Sequence, residues 1–154
     1  MEWVLLAYRL PREPSTPRSA LWRKLRRLGA AQVGDGLAAL PLDARNRERL
    51  EWLAEEVVEA GGEASVWLGE LASATQERDL ARRMAELVAA DYRTVIADVE
   101  AAREDPLGHR RRTLSRLRRE LRRIRARDYF PLSERELAER AVEELAVLVE
   151  EPVG

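Results

Sequence analysis

The sequence contains no cysteine, so disulfides, thiolate metal sites and a cysteine nucleophile are all excluded. It contains one histidine, His109, and a zinc or nonhaem iron centre built on imidazoles is not expected. Phosphate-cradling loops of the G-x-x-x-x-G-K-S/T or G-x-G-x-x-G kind are missing, and so is a nucleophile elbow, which leaves catalysis without a recognisable scaffold. Long apolar runs are missing too. The run that starts at Trp3 is about eight residues, too short for a membrane span or a signal-peptide core. Among 27 basic residues only Lys24 is a lysine, a bias better explained by genome base composition or heat adaptation than by function. These absences predict a cytoplasmic protein, not an enzyme, with no metal, no cofactor and no membrane partner.

What is present is charge. Charged residues make up 36% of the 154-residue chain and apolar residues 45%, a balance that favours long solvated helices over a compact sheet protein. The net charge is only −1, so no whole-molecule field drives the protein onto DNA or a membrane. The distribution along the chain is uneven: residues 109–127 carry ten basic groups and one acidic, while residues 128–154 carry two and eight.

In chain order, Trp3 to Leu10 is rich in strand formers and apolar on both faces, as a central strand would be. Pro11, Pro14 and Pro17 end it. Thr16 and Pro17 predict a helix start by capping and proline preference, with Leu21, Leu25 and Leu28 at helical spacing and Gly29 as the stop. Two short apolar runs, 30–34 and 36–40, flank Asp35-Gly36, a hairpin signal because this dipeptide tolerates positive φ. Pro41 closes the second run. Asp43 can cap a helix over 44–60 bearing Leu50, Leu53 and Val57, Gly61-Gly62 stops it, and 63–70 alternates as a half-buried strand.

Strand, helix, strand, strand, helix, strand within about 70 residues is the split βαβ, or ferredoxin-like, arrangement. Right-handed crossovers place both helices on one sheet face. The other face is bare unless a dimer partner or the C-terminal helices cover it. From Ser73, which with Gln76 fits a capping box, the period becomes helical to about Glu104. A second helix follows over 110–127, with Leu114, Leu117, Leu121 and Ile124 spaced like a heptad seam. Ser133 and Glu136 open a third, with Leu137, Ala141, Leu145 and Leu148 among its apolar positions. The expected fold is therefore α+β, with a ferredoxin-like domain over 1–72 and a three-helix extension over 73–154 packed on or beside it.

The arginine-rich second helix is the main functional candidate. Arg112, Arg116, Arg119 and Arg123, at i, i+4, i+7 and i+11, fall together opposite the seam. Such a stripe can contact phosphates of DNA or RNA or another anion, although charge matching with the acidic stretches on either side of it within the bundle is the commoner use. The first basic helix, with Arg18, Arg23, Arg26 and Arg27, reads as a solvated outer face more readily than as a phosphate contact. Trp3, Trp22, Trp52 and Trp67 read as core or dimer-interface residues more readily than as base-stacking platforms, and Trp67 lies opposite its strand's apolar positions. A metal-dependent nuclease of the small ferredoxin-like CRISPR-adaptation type would need an aspartate at the end of the first strand. Tyr8, Arg9 and Leu10 stand there instead, so the metal-binding carboxylate is missing.

W-V-L-L-A-Y-R-L-P from Trp3, P-R-S-A-L-W-R-K-L-R-R-L-G-A from Pro17, the D-G hairpin, L-E-W-L-A-E-E-V from Leu50, A-G-G-E-A from Ala60 and I-R-A-R-D-Y-F from Ile124 together resemble the N-terminal domain of the ChrB family of chromate-resistance regulators. The resemblance implies a bacterial protein that regulates transcription of a chromate-efflux operon, with kinship to the dimer-forming, ferredoxin-like central domain of PaaX-type repressors. It brings no residue-level catalytic motif. Full-length members carry a further C-terminal domain, absent here, so a separately encoded partner for that half is expected alongside DNA and a second copy of the chain. The leading expectation is a dimeric transcription-regulatory module that contacts DNA through Arg112, Arg116, Arg119 and Arg123. The alternative is an oxyanion-sensing or accessory protein without DNA binding, its arginines pairing bidentately with a tetrahedral dianion.

Overall fold

In the computed structural model, which describes residues 1–150, the apolar run from Trp3 forms the strand on which the first half is built. This strand, β1 (Trp3–Arg9), is followed by α1 (Thr16–Leu28), β2 (Ala31–Gly34), β3 (Leu37–Pro41), α2 (Ala44–Glu59) and β4 (Glu63–Gly69). The sheet order is β2-β3-β1-β4 and every neighbouring pair is antiparallel. β1 and β2 thus run parallel with β3 between them, as the ferredoxin-like arrangement requires. β1 is paired on both sides, and it buries residues of either face: Trp3, Val4 and Leu6 are all in the core.

The helices of this half follow from their apolar spacing. Leu21 and Leu25 of α1, and Leu50, Leu53 and Val57 of α2, are buried. α2 is capped as its sequence predicts, with the Asp43 carboxylate accepting from Asn46 N at 2.7 Å, a contact typically worth ~1 kcal/mol. α1 differs from its expected start. Thr16 is already helical, Ser15 holds the cap position, and no side chain caps the backbone. Pro17 lies in the first turn and has no N–H, which removes one of the donors that a cap would satisfy. Pro41 is the last residue of β3, one position later than the apolar run suggests.

The tryptophans divide. Trp3 is 2% exposed, whereas Trp22, Trp52 and Trp67 are more than half exposed, so only Trp3 is a core residue of this chain. Its indole Nε1 donates to Glu77 Oε1 at 3.0 Å. Glu77 belongs to the first turns of α3 (Ala74–Ala102), a helix opened by Ser73 Oγ accepting from Gln76 N at 3.1 Å.

The chain forms two compact units that divide within α3, at Met84 and Ala85. The second unit holds the rest of α3, α4 (Leu107–Ala126) and α5 (Ser133–Glu150). Tyr92, Val95 and Val99 of α3 form one core cluster with Leu114, Leu117, Leu121 and Ile124 of α4 and Ala138, Val142 and Leu145 of α5. The heptad-spaced positions of the arginine helix are therefore the buried ones, and its charges are turned outward.

Candidate nucleic-acid interface

A helix whose seam is buried must place the remaining positions toward its neighbours or toward solvent. On α4 the two destinations separate the arginines. Two guanidiniums reach acidic residues of the adjoining helices: Arg116 Nη1 lies 3.3 Å from Asp98 Oδ2 of α3, and Arg125 Nε lies 3.0 Å from Glu139 Oε1 of α5. Just past the helix end, Arg127 Nη2 meets Asp91 Oδ2 at 2.9 Å. Arg123 Nη1 pairs at 3.3 Å with Glu120 on its own helix. Arg103, just past the end of α3, adds a contact to Glu144 of α5 at 2.8 Å. These are partly exposed pairs of small individual value; collectively they cancel charge within the bundle.

The remaining arginines are different. Arg111, Arg112, Arg118, Arg119 and Arg122 are exposed and make no ion pair with any described residue. They form two adjacent tracks along the helix, Arg111–Arg118–Arg122 and Arg112–Arg119. At a rise of about 1.5 Å per residue they cover roughly 16 Å of axis. His109, Ser115 and Arg116 border the same surface as a shallow groove of about 560 Å³. Of the four arginines singled out by spacing, Arg112 and Arg119 have no acidic partner among the described residues, and Arg116 and Arg123 have one each. It adds Arg111, Arg118 and Arg122, which a search opposite the seam passes over because they lie on the flank. Their freedom depends on which neighbours carry acids, and the helix sequence alone does not contain that.

The arginine-rich helix ends on a polar anchor. Tyr92 Oη donates to Asp128 Oδ2 at 2.9 Å, with the Asp128 side chain only 2% exposed and Arg135 4.0 Å away. Burial, and then the hydrogen bond and charge of Asp128, push the Tyr92 hydroxyl well above the ordinary tyrosine range. Among the described residues no group of three or more His, Asp or Glu side chains is placed to hold a metal ion. No helix there is long and apolar enough to cross a membrane.

A ferredoxin-like unit followed by a helical bundle with a row of exposed guanidiniums defines an α+β protein of marked charge segregation. Comparison with known proteins gives that class a family. The family described as "Protein ChrB, N-terminal" matches residues 18–151, and the chain belongs to it. A curated relative, Protein ChrB of Cupriavidus metallidurans, is 29% identical over 133 residues, covering 84% of this chain and 40% of its own length. The chain thus spans about two fifths of that relative. No solved structure matches the chain.

Proposed function

We propose that this chain is a noncatalytic, cytoplasmic regulatory module of a chromate-resistance system, and that it contacts DNA through the outward face of α4. The observation that carries this reading is the double track of unpaired arginines. Five guanidiniums over roughly 16 Å of helix compare with about one phosphate per 3.4 Å along one DNA strand, so a backbone segment offers each of them a partner. The family assignment supports the regulatory setting. An oxyanion sensor, by contrast, needs arginines that converge on one point. Those of α4 are strung along an axis, which favours an extended polyanion.

Dimerisation is part of the same proposal. β4 is an edge strand, and Trp67 and Leu68 on it are 62% and 47% exposed. An edge with exposed apolar side chains is a natural surface for a second copy. Sedimentation of the wild type and of Trp67→Ser tests this: the wild type runs as a dimer and the variant shifts toward monomer. A monomeric wild type removes the dimer from the reading.

The DNA role is tested by titrating the promoter region of the protein's own operon at two salt concentrations. Binding should weaken steeply with salt, and Arg112→Glu with Arg119→Glu should abolish most of it. Binding that is absent at low salt, or unchanged in the double variant, would remove α4 from the function.

A further inference from the structure

The first unit carries a second basic surface, and its chemistry is not that of α4. The end of β1, the first half of α1 and the β2–β3 hairpin border an open cleft of about 960 Å³, lined among others by Tyr8, Arg18, Trp22, Arg23, Gln32 and Asp35. The hairpin wall is fixed to the strand. Tyr8 N donates to Gly36 O at 2.8 Å, and Gly36 has φ +76 and lies so close that a Cβ there would collide with the Tyr8 carbonyl oxygen. Only glycine fits that approach. Gln32 Nε2 donates to Tyr8 Oη at 2.9 Å and to Gly34 O at 2.8 Å, so the phenol is oriented from the hairpin side.

On the helix wall, Trp22 is 55% exposed, and the Arg26 guanidinium sits 5.1 Å from its ring centroid. A cation over one ring face holds the indole in place. Arg18 and Arg23 make no ion pair with any described residue, although Lys24 beside them is paired with Glu56 at 2.6 Å. The cleft thus combines an exposed indole, two uncompensated guanidiniums, an oriented amide and phenol, and one carboxylate. A tetrahedral oxyanion would fill a small part of a space this large, and Asp35 would repel it. A ligand with a planar ring, a phosphate and N–H donors on the ring edge answers the indole, the two guanidiniums and the Asp35 carboxylate.

We propose that this cleft binds a nucleotide, with the base against Trp22, the phosphate on Arg18 and Arg23, and Asp35 accepting from N–H groups of the base edge. Guanine presents two adjacent donors to one carboxylate and is the base that fits. A free guanine nucleotide and an unpaired guanine within a strand share this chemistry. The inference is independent of the DNA contact proposed for α4.

The experiment is calorimetry and tryptophan fluorescence on the full chain with GMP, AMP, guanosine, inorganic phosphate and a short single strand holding one guanine. GMP should bind and quench, and guanosine and phosphate should each bind more weakly. Arg18→Ala with Arg23→Ala should weaken GMP by roughly tenfold or more, as loss of charge-assisted bonds predicts. Trp22→Phe should remove most of the quench, and Asp35→Asn should erase the preference for GMP over AMP. Arg112→Glu with Arg119→Glu should leave GMP binding intact, so failure of the α4 reading and failure of this one are distinguishable. A strand that binds tighter than GMP assigns the site to nucleic acid, and equal affinity assigns it to the free nucleotide. Absence of heat and quench at millimolar GMP, with an unchanged circular dichroism spectrum, overturns the proposal. Phosphate binding as tightly as GMP overturns it too.

Discussion

The helices α1 and α4 look alike in sequence and are used differently in the structure. Both bury leucines at helical spacing and display arginines on the remaining positions. α1 puts a tryptophan among its cations and stands beside a hairpin, so its arginines border a cleft. α4 has no Phe, Tyr or Trp and is flanked by helices rich in acids, so some of its arginines are consumed in pairs and the others are left in an open row. A cleft with an aromatic wall suits a compact ligand, and a row on an exposed helix suits an extended polyanion. Composition alone does not separate the two.

The largest expected effect tests whether the arginine row depends on its buried seam. Leu117 is fully buried at the centre of the second unit, and Leu117→Ala should cost ~2–5 kcal/mol through lost transfer energy and a cavity. Urea unfolding should show that loss, together with weaker DNA binding, while the tryptophan quench by GMP survives. Loss of both activities together would mean that the two surfaces are not separable, and the comparison would break.

Next in size is the contrast within α4 itself. Arg112→Ala with Arg119→Ala removes unpaired cations, so the slope of log affinity against log salt should fall by ~0.9 for each lost phosphate contact, with stability unchanged. Arg116→Ala with Arg123→Ala removes exposed ion pairs, and should cost at most ~1 kcal/mol of stability per pair while changing the salt slope less. Equal slopes for the two variants would show that pairing to Asp98 and Glu120 does not decide which arginines bind.

Much of this architecture is legible in the sequence because each device is local. Asp35-Gly36 marks the hairpin, Asp43 caps α2, Ser73 caps α3, and the 114–117–121–124 spacing names the seam without any neighbour in view. Thr16 misleads for an equally local reason, since the following proline leaves a backbone that needs less capping. What is not legible is any property that depends on a second element. Arg116 and Arg112 share one helix face, and only Asp98, eighteen residues earlier, distinguishes them. Trp22 lies in a basic helix that reads as a solvated surface until the hairpin around Gly36 is placed beside it.

A smaller effect concerns the anchor at the end of α4. Tyr92→Phe leaves the buried Asp128 carboxylate without its hydroxyl partner and should cost ~1–3 kcal/mol. Because the folded hydroxyl titrates above the ordinary tyrosine value, its contribution is complete below about pH 10 and is lost as pH rises toward the higher folded value. The wild type should therefore lose stability in alkali over that window, and Tyr92→Phe should lose less. Parallel curves would mean that the alkaline loss comes from other groups.

The smallest effect is the acid counterpart, and it belongs to the first unit. The Glu77 carboxyl is held below the usual carboxylate range, first by the Trp3 indole, against partial desolvation, with the amino-terminal ammonium 3.4 Å away assisting. A depressed folded value means that the contribution is present above about pH 4.3 and is lost as pH falls through the lower folded value. Trp3→Phe removes the donor while keeping an aromatic ring in the core, so its stability should fall less between pH 5 and pH 3, on the order of the carboxylate titration range.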